Sequence, residues 1–120
     1  MFIEIDFNSN EAIYSQLKNR IIMAIAMEEI RQGDSLPSVR DLATQAGINM
    51  HTVNKAYAIL REEGYLSIDR RGAVINICSD CNRAKRELYD QMRRLVAGAL
   101  SRNLSEDDCR EVLEEVLKSF

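Results

Sequence analysis

The stretch "SLPSVRDLATQAGINMHTVNKAYAIL", residues 35 to 60, holds two helical patterns separated by a single glycine-centred break. Ser38 with Asp41 three residues on gives a capping-box-like start, and Pro37 blocks any helix arriving from upstream. Val39, Leu42 and Ala43 supply a short inner face that ends at Gly47. Asn49 then offers an N-cap, and Val53, Ala56, Tyr57 and Leu60 recur at helical spacing until Gly64. A short helix, a turn of about three or four residues and a second helix make the spacing of a helix-turn-helix.

The second of these helices has an unusual outer surface. Asparagine is a weak helix former, yet "INMHTVNKAY" carries Asn49, Asn54, Lys55 and the chain's only histidine, His51. The positions not used for packing are Met50, His51, Asn54, Lys55 and Ala58; the last four fall at i, i+3, i+4 and i+7 and share one face. No acidic group appears on the helix before Glu62 and Glu63. An amide or an imidazole can bond base edges in a major groove, and a lysine can reach a guanine edge or a phosphate. Taken alone, the same pattern also fits a solvated helix face.

The flanks complete a small domain. "MFIEIDF" alternates Ile3, Ile5 and Phe7 against Glu4 and Asp6, which reads as a short strand. Ser9 and Asn10 are N-cap candidates for a helix whose stripe is Ile13, Leu17, Ile21, Ala24 and Ile25. That helix is expected to run to about Arg31, with Gly33 as its left-handed terminator. After Gly64, Tyr65, Leu66 and Ile68, then Val74, Ile75 and Ile77, flank "DRRGA", a β-hairpin with a basic tip. Three helices and a hairpin predict a mainly α fold with a small β-wing, a winged helix-turn-helix over residues 1–77.

From about Cys81 the pattern changes. Leu88, Met92, Leu95, Val96, Ala99 and Leu100 line one helical stripe; Cys109, Val112, Leu113, Val116, Leu117 and Phe120 line another. Ser105 with Asp108 makes a capping box, and Leu104 with Cys109 a hydrophobic staple. Two such helices joined by about four residues form a helical hairpin. A hairpin of that size has little core of its own, and a second copy of the chain is the simplest cover for its stripes. Residues 78–120 are therefore expected to be a two-helix dimerisation region, with the seam at the two stripes without Cys109.

Composition narrows the classes further. With 46% hydrophobic residues among 120, the chain can bury a core. No apolar run has membrane-spanning length and no signal peptide opens it, so a cytoplasmic protein without a membrane partner is expected. The net charge of −3 argues mildly against nucleic-acid binding by bulk charge and leaves a local basic patch open. Three cysteines are too few for a disulfide scaffold. Cys78 and Cys81, in "CSDC", have zinc or redox spacing, with Cys109 as a possible third thiolate, but no fourth ligand is evident. Incidental thiols are the plainer reading; a metal- or redox-sensing regulator and a helical protein-interaction module are the alternatives. No metal site or cofactor is expected. No nucleophile–base pair, phosphate loop or carboxylate–histidine cluster points to an enzyme.

The stretch "GDSLPSVRDLATQAGINMHTVNKAYAILREEGYL" resembles the GntR family of bacterial transcription regulators. The residues that carry the likeness are Leu36, Pro37, Ser38, Arg40, Leu42, Ala43, Gly47, Thr52, Val53, Leu60, Glu63, Gly64, Tyr65 and Leu66. The form "N-x-x-T-V-x-x-A-Y" with a short two-helix tail is similar to the YtrA-like subfamily, whose members are repressors, often of transporter operons, that dimerise through the tail. The resemblance implies a phosphate contact by Arg40 and DNA contacts by Met50, His51, Thr52 and Asn54. It places Gly72 at a wing tip that enters a minor groove, where Arg70 and Arg71 beside it suit a narrow, electronegative groove. Many relatives have arginines at positions 50 and 54, so Met50 and Asn54 imply a different operator. The expectation is a sequence-specific, homodimeric transcription regulator, a repressor on near-palindromic double-stranded DNA. Neither the operator nor a small-molecule effector can be named from the sequence.

Overall fold

A computed structural model describes residues 3–77 and 80–120, which divide into two compact units, Met1–Cys78 and Ser79–Phe120. The first unit contains α1 (Ile13–Ala26), α2 (Val39–Ala46), α3 (Met50–Glu62), β1 (Leu66–Asp69) and β2 (Gly72–Ile75). The second contains α4 (Cys81–Ser101) and α5 (Glu106–Lys118). The protein is mostly helical with a two-stranded antiparallel wing, as the sequence predicts. None of the described helices is long and apolar enough to cross a membrane.

The helix-turn-helix forms where its capping residues place it. The Ser38 hydroxyl accepts the Asp41 backbone N–H at 3.1 Å. Gly47 ends α2 at φ 68°, and the next N–H, of Ile48, returns to the Ala43 carbonyl at 3.0 Å. Nothing crowds the space a Cβ would occupy at Gly47, so its backbone angle alone makes a side chain unfavourable there. The Asn49 side chain then caps α3 by accepting the His51 N–H at 2.7 Å.

α3 is the central element and touches α1, α2 and β1. Its stripe of Val53, Ala56, Tyr57 and Leu60 is buried against Leu17 and Ile21 of α1, Leu42 of α2 and Leu66 and Ile75 of the wing. Full burial of a Leu, Ile or Val side chain contributes about 1.5–3 kcal/mol, so this cluster is the main source of the unit's stability. The Tyr57 hydroxyl donates to the Pro37 carbonyl at 2.7 Å, and burial raises its pKa, so the phenol stays a proton donor.

The wing pairs Leu66 with Ile75, Ser67 with Val74, Ile68 with Ala73 and Asp69 with Gly72. The other edge of β2 is taken by the chain before α2. Gly33 donates to the Ile75 carbonyl, Ile75 to the Asp34 carbonyl and Leu36 to the Ala73 carbonyl, each at 2.8 Å.

Three sequence expectations in this unit need correction. "MFIEIDF" keeps its alternation only in part, with Ile3 buried, Ile5 half-buried and Glu4 and Asp6 exposed, but Phe7 exposed as well, and its described part forms no strand. The β2 edge it could have joined is occupied. The Gln16 amide holds the segment instead, accepting from the Asp6 N–H and donating to the Asp6 and Glu11 carbonyls. The second correction is at the start of α1. Neither Ser9 nor Asn10 caps it; Ala12 stands there without a side-chain bond, and Ser9 accepts the Glu11 N–H in a local turn. The third is its end. α1 stops at Ala26, because Glu28 turns left-handed at φ 60°. The Glu28 N–H reaches the Ile25 carbonyl and the Glu29 N–H the Ala24 carbonyl, the paired bonds of a Schellman terminus. Ile30 can then fold back on the core.

In the second unit Asp80 caps α4 by accepting the Arg83 N–H, and Asn103 at φ 69° ends it with the same Schellman pattern, through Asn103 to Leu100 and Leu104 to Ala99. Ser105 and Asp108 form both halves of a capping box on α5. The backbone N–H and then the hydroxyl of Ser105 hold the Asp108 carboxyl below the usual carboxylate range. Neither helix contains a buried residue.

The left-handed Glu28 yields a prediction. A non-glycine residue there carries a cost of about 1–2 kcal/mol, and glycine removes it. Glu28→Gly should raise stability by about 1 kcal/mol in urea unfolding with the slope unchanged, allowing for the added freedom of the unfolded chain.

Candidate nucleic-acid interface

Because the α3 stripe is buried, the opposite side of the helix faces out. Met50, His51, Asn54, Lys55 and Ala58 are all exposed, so the structure brings together the polar group the sequence singles out. Thr52 differs: it is half-buried, and only part of it is available to a ligand. None of the exposed polar side chains on this face forms a hydrogen bond or ion pair with a described residue, and one makes a contact of another kind. The Lys55 ammonium lies 4.0 Å from the centroid of the Tyr14 ring, a cation–π contact reaching across to α1.

Arg40 is the second residue of α2. Its side chain is exposed, and only its carbonyl is engaged, by the Thr44 hydroxyl at 3.0 Å. A cation at that end of a helix opposes the helix dipole. Its position therefore lowers the stability of α2 slightly and suits contact with an external anion.

Arg70 and Arg71 form the two-residue tip of the wing, closed by Gly72 at φ 93°. Asp69 organises this tip. Its carboxylate accepts the Arg71 backbone N–H at 2.7 Å and the Arg71 guanidinium at 3.1 Å. Those two bonds, the backbone one foremost, hold the Asp69 carboxyl below the usual carboxylate range. One of the two tip arginines is thus tied back, while Arg70 has no partner among the described residues.

Sequence reasoning missed Tyr14 and Asp69. Asp69 could have been found, since an Asp two residues before an arginine at a turn favours a side-chain-to-backbone bond. Tyr14 could not, because its contact with Lys55 exists only after α1 and α3 pack. Cys78 lies outside the described residues. Cys81 is exposed and Cys109 half-buried, and no group of three or more potential metal ligands comes together among the described residues.

Residues 13–75 match the family described as bacterial regulatory proteins, gntR family. The chain belongs to the GntR family. YhcF of Bacillus subtilis, an uncharacterized helix-turn-helix (HTH-type) transcriptional regulator, is 30% identical over 115 residues, 95% of this chain and 93% of that one. YtrA of Bacillus subtilis, an HTH-type transcriptional repressor, is 40% identical over 75 residues, 62% of this chain and 58% of that protein. Among solved structures, YtrA from Sulfolobus acidocaldarius, a GntR-family transcription factor, is 35% identical, with a TM-score of 0.60 over 96% of each chain. The chain is a winged-helix transcription regulator of this family, whose relatives are regulators rather than enzymes.

The tie between Asp69 and Arg71 has a measurable consequence. Asp69→Asn keeps an acceptor for the Arg71 N–H and releases the guanidinium. It should tighten binding to any DNA duplex and steepen its salt dependence, as read by fluorescence anisotropy. The sign with pH follows from the lowered carboxyl: the tie is fully present above the ordinary aspartate value and is lost only as pH falls through the lower folded value.

Proposed function

We propose that the chain is a homodimeric repressor that reads a near-palindromic operator. In this reading α3 enters the major groove with His51, Asn54 and Lys55, beside Met50 and the accessible part of Thr52. Arg40 contacts a phosphate, and Arg70, Arg71 and Gly72 bring the wing tip to a minor groove. The observation that carries it is the unpaired, acid-free outer face on the first part of α3, set in a helix-turn-helix whose family members are transcription regulators. Repression is supported by the name of the Bacillus subtilis relative.

The homodimer is supported by the second unit. Leu95 is 74% exposed, and Leu88, Leu100, Val112, Leu113, Val116, Leu117 and Phe120 are exposed with it. Met92, Val96 and Ala99 are half-buried at best. A groove of about 620 Å³ is lined from α4 alone, by Leu88, Met92 and Val96 among others. Apolar stripes of this extent call for a covering partner. A second copy would also fix the distance between two recognition helices, which is what a two-fold operator requires.

The test starts from a duplex enriched from a random library by the full chain. Its affinity should fall by about 10³ or more between low and moderate salt. Arg40→Ala should weaken binding to enriched and scrambled duplexes alike, because phosphate contacts position without specifying. Asn54→Ala or His51→Ala should cost about 1–3 kcal/mol on the enriched duplex and less on the scrambled one. Equal losses on both duplexes for all three would refute the assignment of α3.

Dimerisation has its own measurement. Leu95→Glu or Leu113→Glu places a charge in the seam. In sedimentation each should shift the full chain toward monomer, and each should weaken binding to the enriched duplex, because two linked contacts become one. A variant that stays dimeric, or a monomer that keeps full affinity, would remove the seam from these stripes.

A further inference from the structure

The Lys55 ammonium is not a loose charge. Its Nζ sits 4.0 Å from the centroid of the Tyr14 ring. Tyr14 lies in the first turn of α1, is half-buried and rests against the core, so the ring is a fixed shelf. No carboxylate among the described residues pairs with Lys55. The ring is therefore its one specific partner among the described residues.

We propose that Tyr14 is a positioning residue for DNA reading. Its ring holds the Lys55 ammonium at a set place on the α3 face, so that this lysine acts as a placed donor to a base edge. The inference rests on the reading of α3 as the groove-facing helix.

The physical grounds are the properties of lysine. A free lysine is a compact charge on a flexible four-carbon stem, well suited to a phosphate, which tolerates imprecise placement. Reading a base edge demands a donor in a defined position. The face of an aromatic ring attracts the ammonium from one side. Three N–H donors cannot all point into the ring, so some remain for a second partner. A stem already ordered on the ring has lost rotamer freedom before DNA arrives, and that preorganisation strengthens binding where position matters. Losing the shelf should therefore harm operator binding more than random binding. It should leave the salt slope alone, because no charge is removed.

The experiment compares Tyr14→Phe, Tyr14→Leu, Lys55→Met and the double variant Tyr14→Leu/Lys55→Met. Each is titrated against the enriched duplex and a scrambled duplex of equal composition, with thermal unfolding alongside. Tyr14→Phe keeps the ring face and should match the unaltered protein. Tyr14→Leu should lose about two- to fivefold on the enriched duplex, the range expected of an exposed cation–π contact, with little loss on the scrambled one. In the Lys55→Met background it should lose nothing further. An equal loss in that background would assign the effect to packing and overturn the proposal. So would Tyr14→Phe behaving like Tyr14→Leu, since the hydroxyl would then be the contact. Weak binding by Lys55→Met with Tyr14→Leu intact would overturn the shelf alone. Full binding by Lys55→Met would instead remove Lys55 from the reading face, which is a failure of the underlying assignment.

Discussion

Burial of Val53, Ala56, Tyr57 and Leu60 fixes the rotation of α3 about its own axis. Each residue advances about 100° around a helix. A rotation of even one position would bury Asn54 unpaired and expose Val53, at a cost the unit's modest core could not absorb. The Tyr57 bond to the Pro37 carbonyl adds a second restraint, tying α3 to the residues that begin α2. With α3 locked, His51, Asn54 and Lys55 have one direction left to face. The core and the exposed polar face are thus two sides of one packing decision.

Much of this was legible in the sequence because the signals are local. Ser38, Asn49 and the Ser105–Asp108 pair cap the helices where their spacing places them, and Gly47 supplies the left-handed turn. The 3.6-residue period picked out every buried position on α3. What was not legible depends on tertiary context. Nothing in "AMEEIRQG" marks Glu28 as left-handed, since its neighbours are good helix formers and Gly33 is the obvious terminator. α1 ends early because Ile30 is drawn back onto the core. The first residues alternate like a strand in sequence, yet only Ile3 is buried and Phe7 is exposed, and the available β2 edge was already filled from residues 33–36. For the candidate site, the shared face of His51, Asn54 and Lys55 follows from spacing. The partners that restrain Lys55 and Arg71 do not appear in any period.

An acidic chain with a locally cationic DNA-binding unit, as proposed, is less contradictory than its net charge of −3 suggests. α5 concentrates carboxylates at Glu106, Asp107, Asp108, Glu111, Glu114 and Glu115, well separated in sequence from Arg40, Lys55 and the wing. Most of α4's charged residues are basic, including Arg83, Lys85, Arg86, Arg93 and Arg94. Charge summed over the chain hides this division, whereas association responds to local fields.

The second unit has one more consequence, at the level of the cell. Neither α4 nor α5 buries a single residue, so most of the apolar contact available to this unit must come from outside it. In the proposed homodimer, folding of the tail and pairing of two chains would be one concentration-dependent event. Below the pairing threshold of such a dimer, occupancy of a promoter would grow with roughly the square of the amount of protein, and not in simple proportion to it. A gene under such control would respond to the regulator's abundance as a sharpened dose curve, its threshold set by the apolar stripes of α4 and α5.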